Sequence, residues 1–370
     1  MKKVLHIITL SETGGAQKIV YFVTTGLKDG FDVTVLTSPG GEMIEWLRNK
    51  KVNVYELKEL CRRINIYKDL VSFVRILLFI KRNKFDIVHC HSWKGGVLGR
   101  LAAILAGVPE VYFTVHGWSI LNTSKGIIHT VYLLIEKLLG YYTSKIICVC
   151  DSDRDMGIRL KVAKRDKFTV IYNGIEDCKI KEVEKRKLLL PEGSIVAGTV
   201  ARMAKPKMVY ETAHIMEKLF EKYNNLYFIW IGDGPLFDCV KKYVESKGIE
   251  KRFIMVGKQE DVFGWLSCFD IYILLSRYEG LPVSILEAMS AALPVIASDT
   301  GGVSELVFND VNGFLVNDCI QDIEEKISLL IQNEEKRKAF GAAGRSIFCS
   351  RFTVDKMLEG YKRLYEENKK

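Results

Sequence analysis

Short apolar segments rich in β-branched residues alternate with segments of helical periodicity along almost the whole chain. Val4–Thr9 is the first apolar segment, and the helical segment Ala16–Lys28 follows it. Segments that are apolar throughout are typical of parallel strands covered by helices on both faces of a sheet. Because 370 residues exceed one ordinary core, the pattern predicts two doubly wound α/β domains.

The pattern stops after Asn173-Gly174 and starts again near Ser194. The segment between them, Glu176–Pro191, is highly charged and shows no strand signal, which is typical of a linker. The predicted organisation is two Rossmann-like domains facing a central cleft, with a first domain over 1–175, a linker over 176–192, a second domain over 193–352 and a terminal helix within 353–370.

The composition, with 48% hydrophobic and 27% charged residues, is that of a soluble globular protein. No apolar run reaches the roughly 18 residues of an ordinary spanning helix, since Arg75 interrupts Leu70–Ile80. No secretory signal is recognised at the start. The nine cysteines, of which only Cys148 and Cys150 are close, lack zinc or redox spacing, so we expect a reducing cytoplasm.

The net charge of +9 is concentrated in the first half of the chain. Residues 1–180 contain 27 Lys and Arg against 17 Asp and Glu, whereas residues 181–370 contain 27 against 28. This asymmetry predicts that the first half meets an anionic partner.

Two segments of the basic half, Leu70–Ile80 and Ile127–Leu139, combine apolar residues with neighbouring cations. The pattern fits peripheral contact with an anionic membrane surface, or equally core helices whose basic faces are solvated. No nucleic-acid-binding module is recognised, so nucleic acid is not an expected partner.

Two pairs of residues suit the phosphates of a nucleotide. Gly14 and Gly15, between the first strand and helix, let a phosphate approach backbone amides or form a plain turn. The dinucleotide fingerprint G-x-G-x-x-G is absent, which argues against a nicotinamide dehydrogenase. Arg202 and Lys207 follow a predicted strand, where two cations suit a diphosphate or are solvated surface charges.

The most specific segment is Arg277–Met289, which contains Glu279 in a loop and Glu287 on a helix. Pro282 marks the first turn of that helix, and free amides near Leu281–Ser284 can hold a phosphate. The carboxylates suit sugar and ribose hydroxyls. They also fit a glycosidase acid/base pair, or a buried helix whose glutamates bond loop amides.

Glu279 and Glu287, eight residues apart with Gly-Leu-Pro between them, resemble the E-x7-E motif of the family-four retaining glycosyltransferases of the GT-B fold. The other landmarks of that family occur in its order over nearly the whole chain: Gly14-Gly15, Thr114–Gly117, Asn173-Gly174, Arg202 with Lys207, Gly232–Pro235, Gly301-Gly302 and Asn312-Gly313.

The resemblance implies an acceptor-binding first domain, a second domain for the nucleotide-sugar and a terminal helix that crosses back to the first domain. It assigns Arg202 and Lys207 to the diphosphate leaving group, Glu279 to the donor sugar and Glu287 to the ribose. It further implies these substrate contacts: His116 near O6 of the donor sugar, Gly14 and Gly15 at the phosphates, the loop of Gly280, Leu281, Pro282 and Val283 at the phosphates, and Gly257, Lys258 and Ser276 in the base pocket.

Two patterns suggest a metal. His89 and His91 share one side of a strand end and, with His116, offer a three-histidine zinc site, although His91 also suits the acceptor pocket. Asp151-Ser152-Asp153 matches a manganese-binding D-x-D pattern, but it opens a helix, so capping of that helix is the preferred interpretation. We therefore expect no metal and no cofactor.

The resemblance thus implies a retaining, metal-independent hexosyltransferase of the bacterial surface-polysaccharide type. The expected donor is a nucleotide-sugar, most simply a UDP-sugar, and the expected acceptor is a glycan or a polyprenyl-diphosphate-linked glycan. A sugar-nucleotide epimerase or hydrolase of the same fold is the alternative. The expected location is the cytoplasm, peripheral on the inner face of the plasma membrane.

Overall fold

The computed structural model describes residues 1–118, 126–178 and 190–367. The chain forms two compact units, the first from residues 1–174 together with residues from 354 onward, and the second from residues 175–353. The second unit is therefore inserted ahead of the terminal helix of the first. Residues 179–189, most of the predicted linker, lie outside the described residues.

The first unit is built on a seven-stranded sheet with the order β3-β2-β1-β4-β5-β6-β7. All its pairings are parallel, as the unbroken apolar segments predict. The strands are β1 (Lys3–Ile7), β2 (Asp32–Thr37), β3 (Asn53–Glu56), β4 (Ile87–His91), β5 (Glu110–Val115), β6 (Lys145–Cys148) and β7 (Phe168–Val170).

The helices between these strands are α1 (Gly15–Leu27), α2 (Met43–Asn49), α3 (Ile66–Asn83), α4 (Trp93–Ala106), α5 (Ile127–Tyr142) and α6 (Asp151–Arg159). Helix α4 packs against both α3 and α5. Inward residues of α3 and α4, such as Ile76 and Ala103, join the core formed with β1, β4, β5 and β6. We refer to α3, α4 and α5 together as the α3–α5 layer.

The second unit is built on a six-stranded parallel sheet with the order β10-β9-β8-β11-β12-β13. Its strands are β8 (Ile195–Val200), β9 (Leu226–Ile231), β10 (Phe253–Gly257), β11 (Ile271–Leu274), β12 (Val295–Ser298) and β13 (Gly313–Val316). Its helices are α7 (Val209–Lys222), α8 (Phe237–Ser246), α9 (Val262–Leu266), α10 (Val283–Ser290), α11 (Ile320–Gln332) and α12 (Glu334–Arg351). The prediction of two Rossmann-like α/β domains is confirmed, since both sheets reverse their strand order beside the first strand.

The last helix, α13 (Val354–Glu366), belongs to the first unit. It packs against α1 and buries Met357, Tyr361 and Tyr365. The Nζ of Lys2 donates a hydrogen bond of 2.8 Å to the carbonyl oxygen of Tyr365, which ties the helix to the start of the chain.

The capping prediction for Asp151 and Asp153 is wrong in its residue. The capping position of α6 is Cys150, whose Sγ accepts a hydrogen bond from the backbone N–H of Asp153 at 3.4 Å. Both aspartates lie in the first helical turn instead, where their negative charge is favourable to the helix dipole.

No helix in the described ranges combines the length and the apolar character that crossing a bilayer requires. All nine cysteines of the chain are free thiols.

Candidate active site

The predicted site residues of the second unit gather where its strand order reverses. Arg202 follows β8 and Glu279 follows β11, which are neighbouring parallel strands. The carboxyl ends of such strands open on the crevice that binds ligands in this class of sheet. The two loops are joined directly, because the N–H of Met208 donates to the carbonyl of Leu275 at 3.1 Å and that of Arg277 to the carbonyl of Pro206 at 3.1 Å.

This joining brings Lys207 and Glu279 into an ion pair between Nζ and Oε1. The two side chains are only 17% and 12% exposed. The backbone of Lys207 also forms an isolated bridge with that of buried Ser276. A cation and a carboxylate are therefore held together at one edge of the sheet.

Two glycines that the sequence left without a role hold the loop of Glu279. Gly301 has a φ of +56°, and a Cβ there would lie 1.8 Å from the carbonyl oxygen of Glu279. The N–H of Gly302 donates a hydrogen bond of 2.9 Å to the carbonyl of Gly280. Only glycine permits both this backbone conformation and this approach.

Helix α10 begins directly after this loop, with Pro282 as the capping residue. Leu281, Pro282 and Val283 are buried, which fixes the first turn against the core. The N–H of Ile285 donates to the carbonyl of Pro282 at 3.1 Å, so the first-turn N–H groups without an acceptor in the helix, those of Val283 and Ser284, are the ones that can bind an anion. Glu287 lies one turn further on and is only 4% exposed.

Arg202 is exposed, and its side chain has no ion-pair or hydrogen-bond partner within the described ranges. Its loop is nevertheless well fixed. The N–H of Met203 donates to the carbonyl of Asp233 at 3.0 Å, and the Nε1 of Trp230 donates to the carbonyl of Ala201 at 2.8 Å. The result is an unneutralised guanidinium on a rigid support.

Two further predicted contacts lie at the end of β10. Gly257 has a φ of +69° and accepts a hydrogen bond of 2.8 Å from the N–H of Gly232. Lys258 follows and is exposed. This bulge joins the ends of β9 and β10 on the same edge of the sheet that carries Arg202.

In the first unit, Gly14 caps α1 and Gly15 is its first residue. Glu42 holds the preceding loop, since its Oε2 accepts hydrogen bonds of 3.0 Å from both the N–H and the hydroxyl of Thr13. The end of β1 thus leads into α1 through a fixed turn.

A chain of hydrogen-bonded rings runs through the interior of the first unit. His116 Nε2 lies 3.3 Å from His91 Nδ1, and His91 Nε2 lies 3.0 Å from His6 Nδ1. His6 Nε2 then lies 3.3 Å from the hydroxyl of Tyr365, which is 2.5 Å from His89 Nδ1. The sequence singled out three of these histidines but missed His6 and Tyr365, which β1 and α13 contribute.

The histidines that lie together are not the three that the sequence pattern offers as a zinc site. Ring nitrogens of His6, His89 and His91 lie within 4.8 Å of one another, whereas His116 contacts His91 alone in this group. Both ring nitrogens of His89 and of His91 are already engaged with other side chains. A neutral imidazole donates from one nitrogen and accepts at the other. The donors therefore all point one way along this series of rings, and the tautomer of each ring fixes that of the next.

Burial keeps these rings neutral. It lowers the pKa of His6 to about 3 and that of His116 to about 4. It also lowers the pKa of His89 and of His91 well below the ordinary value, with neighbouring histidines adding to the effect.

We expect acid to destabilise the first unit through these rings. The unfolded chain binds their protons below about pH 6.5 and the folded chain does not, so the free energy of unfolding falls as the pH drops from there toward 4. The slope is about 1.4 kcal/mol per pH unit for each such ring. Urea unfolding at about pH 7, 6 and 5 measures this slope, because these values span the range in which the unfolded chain gains the protons. His6→Gln should remove one ring's share of this slope, and an equal slope in the variant and the wild type would contradict the assignment.

Two family profiles match the chain. "Glycosyltransferase Family 4" matches residues 13–177, and "Glycosyl transferases group 1" matches residues 180–347. Together they span both units, and their junction lies close to the boundary of the units.

Among curated proteins, the chain is 30% identical to the Escherichia coli UDP-Gal:alpha-D-GlcNAc-diphosphoundecaprenol alpha-1,3-galactosyltransferase, over 98% of this chain and 96% of that one. It is 25% identical to the capsular polysaccharide biosynthesis glycosyltransferase CapM of Staphylococcus aureus, over 98% and 97% of the two chains.

Among solved structures, Anabaena Alr3699/HepE in complex with UDP and glucose superposes with a TM-score of 0.87 at 19% identity, over 99% of each chain. The apo form of the lipopolysaccharide outer core galactosyltransferase WaaB superposes with a TM-score of 0.74 at 18% identity, over 99% and 100%. These likenesses concern the fold. The full-length relative at 30% identity, together with the two profiles, shows that this chain belongs to the family-four glycosyltransferases, which have the GT-B fold.

Proposed function

We propose that this protein is a retaining glycosyltransferase that moves a sugar from a UDP-sugar to a polyprenyl-diphosphate-linked glycan during assembly of a surface polysaccharide. The observation that carries the proposal is the ion pair of Lys207 and Glu279 at the amino end of α10, with Glu287 buried on the same helix. One edge of one sheet thus offers a cation for a diphosphate, a carboxylate for a sugar and a second carboxylate for a ribose.

The diphosphate of the donor would meet Arg202, Lys207 and the first-turn amides of α10. Arg202 has no competing anion among the described side chains, so its full charge is available to a ligand. Charge that develops on a departing diphosphate is stabilised by fixed cations and amides without any reorganisation. This arrangement supplies what a bound metal supplies elsewhere, which supports a metal-independent reaction.

The two carboxylates would divide the hydroxyl groups of the donor. Lys207 engages Oε1 of Glu279, so Oε2 of that carboxylate is the oxygen best suited to accept from a sugar hydroxyl. Glu287, further along α10, suits the ribose hydroxyls. Gly257, Lys258 and Ser276 remain the predicted base contacts, and Gly14, Gly15, His91 and His116 the predicted contacts of the first unit.

Retention requires that the new bond to C1 of the sugar form on the face from which the diphosphate leaves. The bond between C1 and the phosphate oxygen breaks, and a bond from C1 to the acceptor oxygen forms. The acceptor's proton passes to the departing phosphate oxygen, so the step needs no separate protein base. Arg202 and Lys207 would stabilise that leaving group more strongly in the transition state than in the bound donor.

The names of one relative and one structural neighbour support this choice of substrates. The Escherichia coli relative is named for UDP-Gal and for a diphosphoundecaprenol acceptor, and the Anabaena neighbour holds UDP. The free thiols and the basic first half of the chain support work in the cytoplasm at the inner face of the membrane.

The test is a transfer assay in which a panel of UDP-sugars is offered with a lipid-linked N-acetylglucosamine diphosphate acceptor. We expect a glycosylated lipid whose new linkage has the anomeric configuration of the donor, as read by NMR. Donor consumption at full rate without acceptor would favour the epimerase or hydrolase alternative, and an inverted linkage would contradict retention.

A measurement of UDP binding tests the donor site separately from transfer. Glu287→Gln should weaken UDP binding about tenfold or more, because a charge-assisted hydrogen bond contributes roughly 1.5–3 kcal/mol. Isothermal titration with UDP measures it. Exposed Glu245→Gln on α8 is the matched control, and an unchanged UDP affinity in Glu287→Gln would remove the ribose role.

A further inference from the structure

A continuous series of hydrogen bonds connects the last helix, α13, with the end of β5. Two hydroxyl groups extend the buried chain of rings, because His89 Nε2 lies 2.7 Å from Thr114 Oγ1, which lies 3.4 Å from the hydroxyl of Tyr361. We call the whole the histidine series, whose members in order are Tyr361, Thr114, His89, Tyr365, His6, His91 and His116. All of them are 0% exposed except His116, which is partly exposed.

The histidine series has one hydrogen more than it has contacts. A hydroxyl carries one hydrogen to donate, and so does a neutral imidazole. The rings are neutral, since burial lowers the pKa of each of them. Every contact uses one hydrogen, so a single hydrogen is left without a partner inside the series.

Burial decides where the remaining hydrogen lies. The hydroxyl of Tyr361 is buried, and Thr114 Oγ1 is its one hydrogen-bond partner among the described residues. A buried donor without an acceptor is costly enough to shift an equilibrium about tenfold or more. Tyr361 therefore donates to Thr114, and Thr114 donates to Nε2 of His89.

The direction of every later hydrogen bond follows from this start. His89 donates from Nδ1 to the oxygen of Tyr365, whose hydroxyl donates to Nε2 of His6. His6 donates from Nδ1 to His91, and His91 donates from Nδ1 to Nε2 of His116. The remaining hydrogen is then on Nδ1 of His116, an atom with no hydrogen-bond partner in the part of the chain that the structure describes.

The ring planes and the sheet suit this order. The rings of His6 and His91 are tilted by only 13°, with centroids 5.3 Å apart and the bonded nitrogens 3.0 Å apart. They therefore meet edge to edge, so the N–H of one ring points along the lone pair of the next. Parallel pairing places His6 opposite His89 and His91 opposite Thr114, so neighbouring strands hold the series in register.

We propose that Tyr365, His6 and His91 are positioning residues that fix His116 as a hydrogen-bond donor, through Nδ1, to an oxygen of the bound sugar. His116 directly follows β5, at the carboxyl edge where sheets of this class bind ligands. A donor that is fixed beforehand needs no rearrangement when a substrate oxygen arrives. The role in sugar transfer rests on the proposed function, whereas the order of the hydrogens does not.

Long-range nitrogen–proton correlation NMR of the full chain, labelled at histidine and without ligand, tests the order directly. The spectrum distinguishes a ring nitrogen that carries hydrogen from one with a lone pair, and single His→Gln variants assign the signals. We expect hydrogen on Nδ1 and a lone pair on Nε2 in each of the four rings: His6, His89, His91 and His116. Hydrogen mainly on Nε2 in any of these rings of the wild type would overturn the proposal.

Two substitutions of buried tyrosines on α13 make a matched pair. Tyr365→Phe removes the hydroxyl between His89 and His6, after which Nε2 of His6 lacks a partner in either order, so both tautomers of His116 should be populated about equally. Tyr361→Phe removes an equally buried hydroxyl, but Thr114 still has Nε2 of His89 as its acceptor, so His116 should keep its hydrogen on Nδ1. Identical His116 signals in the two variants would overturn the role of Tyr365.

Transfer activity should follow the tautomer of His116. In Tyr365→Phe, kcat/KM should fall about twofold, in step with the fraction of His116 that keeps hydrogen on Nδ1, because only that fraction is competent. Tyr361→Phe should retain the wild-type value. In a His116→Ala background, Tyr365→Phe should cause no further loss, since it acts through His116, and an additive loss would mean that Tyr365 is only structural.

The wild type separates failure of this proposal from failure of the proposed function. A wild type that transfers sugar but carries hydrogen on Nε2 of His116 contradicts the histidine series alone. A wild type that transfers no sugar to any acceptor contradicts the proposed function and with it the role of His116, while the NMR spectrum still decides the order of the hydrogens.

Discussion

Replacing Arg202 by alanine is expected to lower kcat/KM a hundredfold or more, equivalent to about 3 kcal/mol of transition-state stabilisation. The guanidinium is exposed and has no side-chain partner in the part of the chain that the structure describes, so its removal leaves no other charge unpaired. The loop that carries it is held by backbone contacts to Asp233 and Trp230, which the substitution leaves intact. The loss should therefore appear in turnover and not in stability.

Steady-state kinetics with the wild type's donor, together with thermal unfolding, measure this effect. Lys205→Ala is the matched control, because it removes an exposed cation from the same loop without a partner among the described residues. Turnover of Arg202→Ala within about threefold of the wild type would mean that the guanidinium does not act on the leaving group. Loss of a comparable donor at an oxyanion site costs about 2.7 kcal/mol or more.

Glu136→Ala is expected to destabilise the first unit by about 3–5 kcal/mol, because it leaves a buried guanidinium without its counter-ion. Arg100 and Glu136 are 0% and 3% exposed, and Nη2 lies 2.8 Å from Oε2. Arg100 also donates from Nε to the carbonyl of Gly96 and stacks over the ring of Phe113 at 3.9 Å. The pair joins α4 to α5, so its loss loosens the α3–α5 layer.

Urea unfolding measures this cost, and two variants bracket it. Arg100→Met/Glu136→Leu removes both charges and should recover most of the stability, because an apolar pair of similar volume needs no desolvation of ions. Glu59→Ala breaks the exposed pair with Arg75 and should cost less than about 1 kcal/mol. A double variant as unstable as Glu136→Ala would show that packing, and not the unpaired charge, sets the loss.

The strands and helices could be predicted closely from the sequence because their signals are local. The apolar segment Val4–Thr9 became β1 at Lys3–Ile7, and the helical segment Ala16–Lys28 became α1 at Gly15–Leu27. Such periodicity depends on neighbours a few residues away, so it can be recognised without any knowledge of tertiary contacts. The error at α6 was equally local, since the side chain that caps the helix is a thiol and not a carboxylate.

The candidate site was predicted residue by residue, but not as a set of contacts. Glu279, Glu287, Arg202 and Lys207 are all recognisable in the sequence. That Lys207 and Glu279, 72 residues apart, meet in an ion pair follows from the hydrogen bonds between the loops after β8 and β11. The need for glycine at position 301 likewise depends on a carbonyl that only the folded chain brings near.

The sequence by itself determined the class of this protein: two parallel α/β domains, an E-x7-E motif beside a pair of cations, and a basic, partly apolar first half. Tertiary structure alone decided which side chains meet. It joined four histidines and Tyr365 in one series of hydrogen bonds, and it paired Lys207 with Glu279. The physical reason is that a sequence pattern shows only which residues are apolar or charged at helical or strand spacing. Partners distant in sequence are chosen only when strand order and helix packing bring them together.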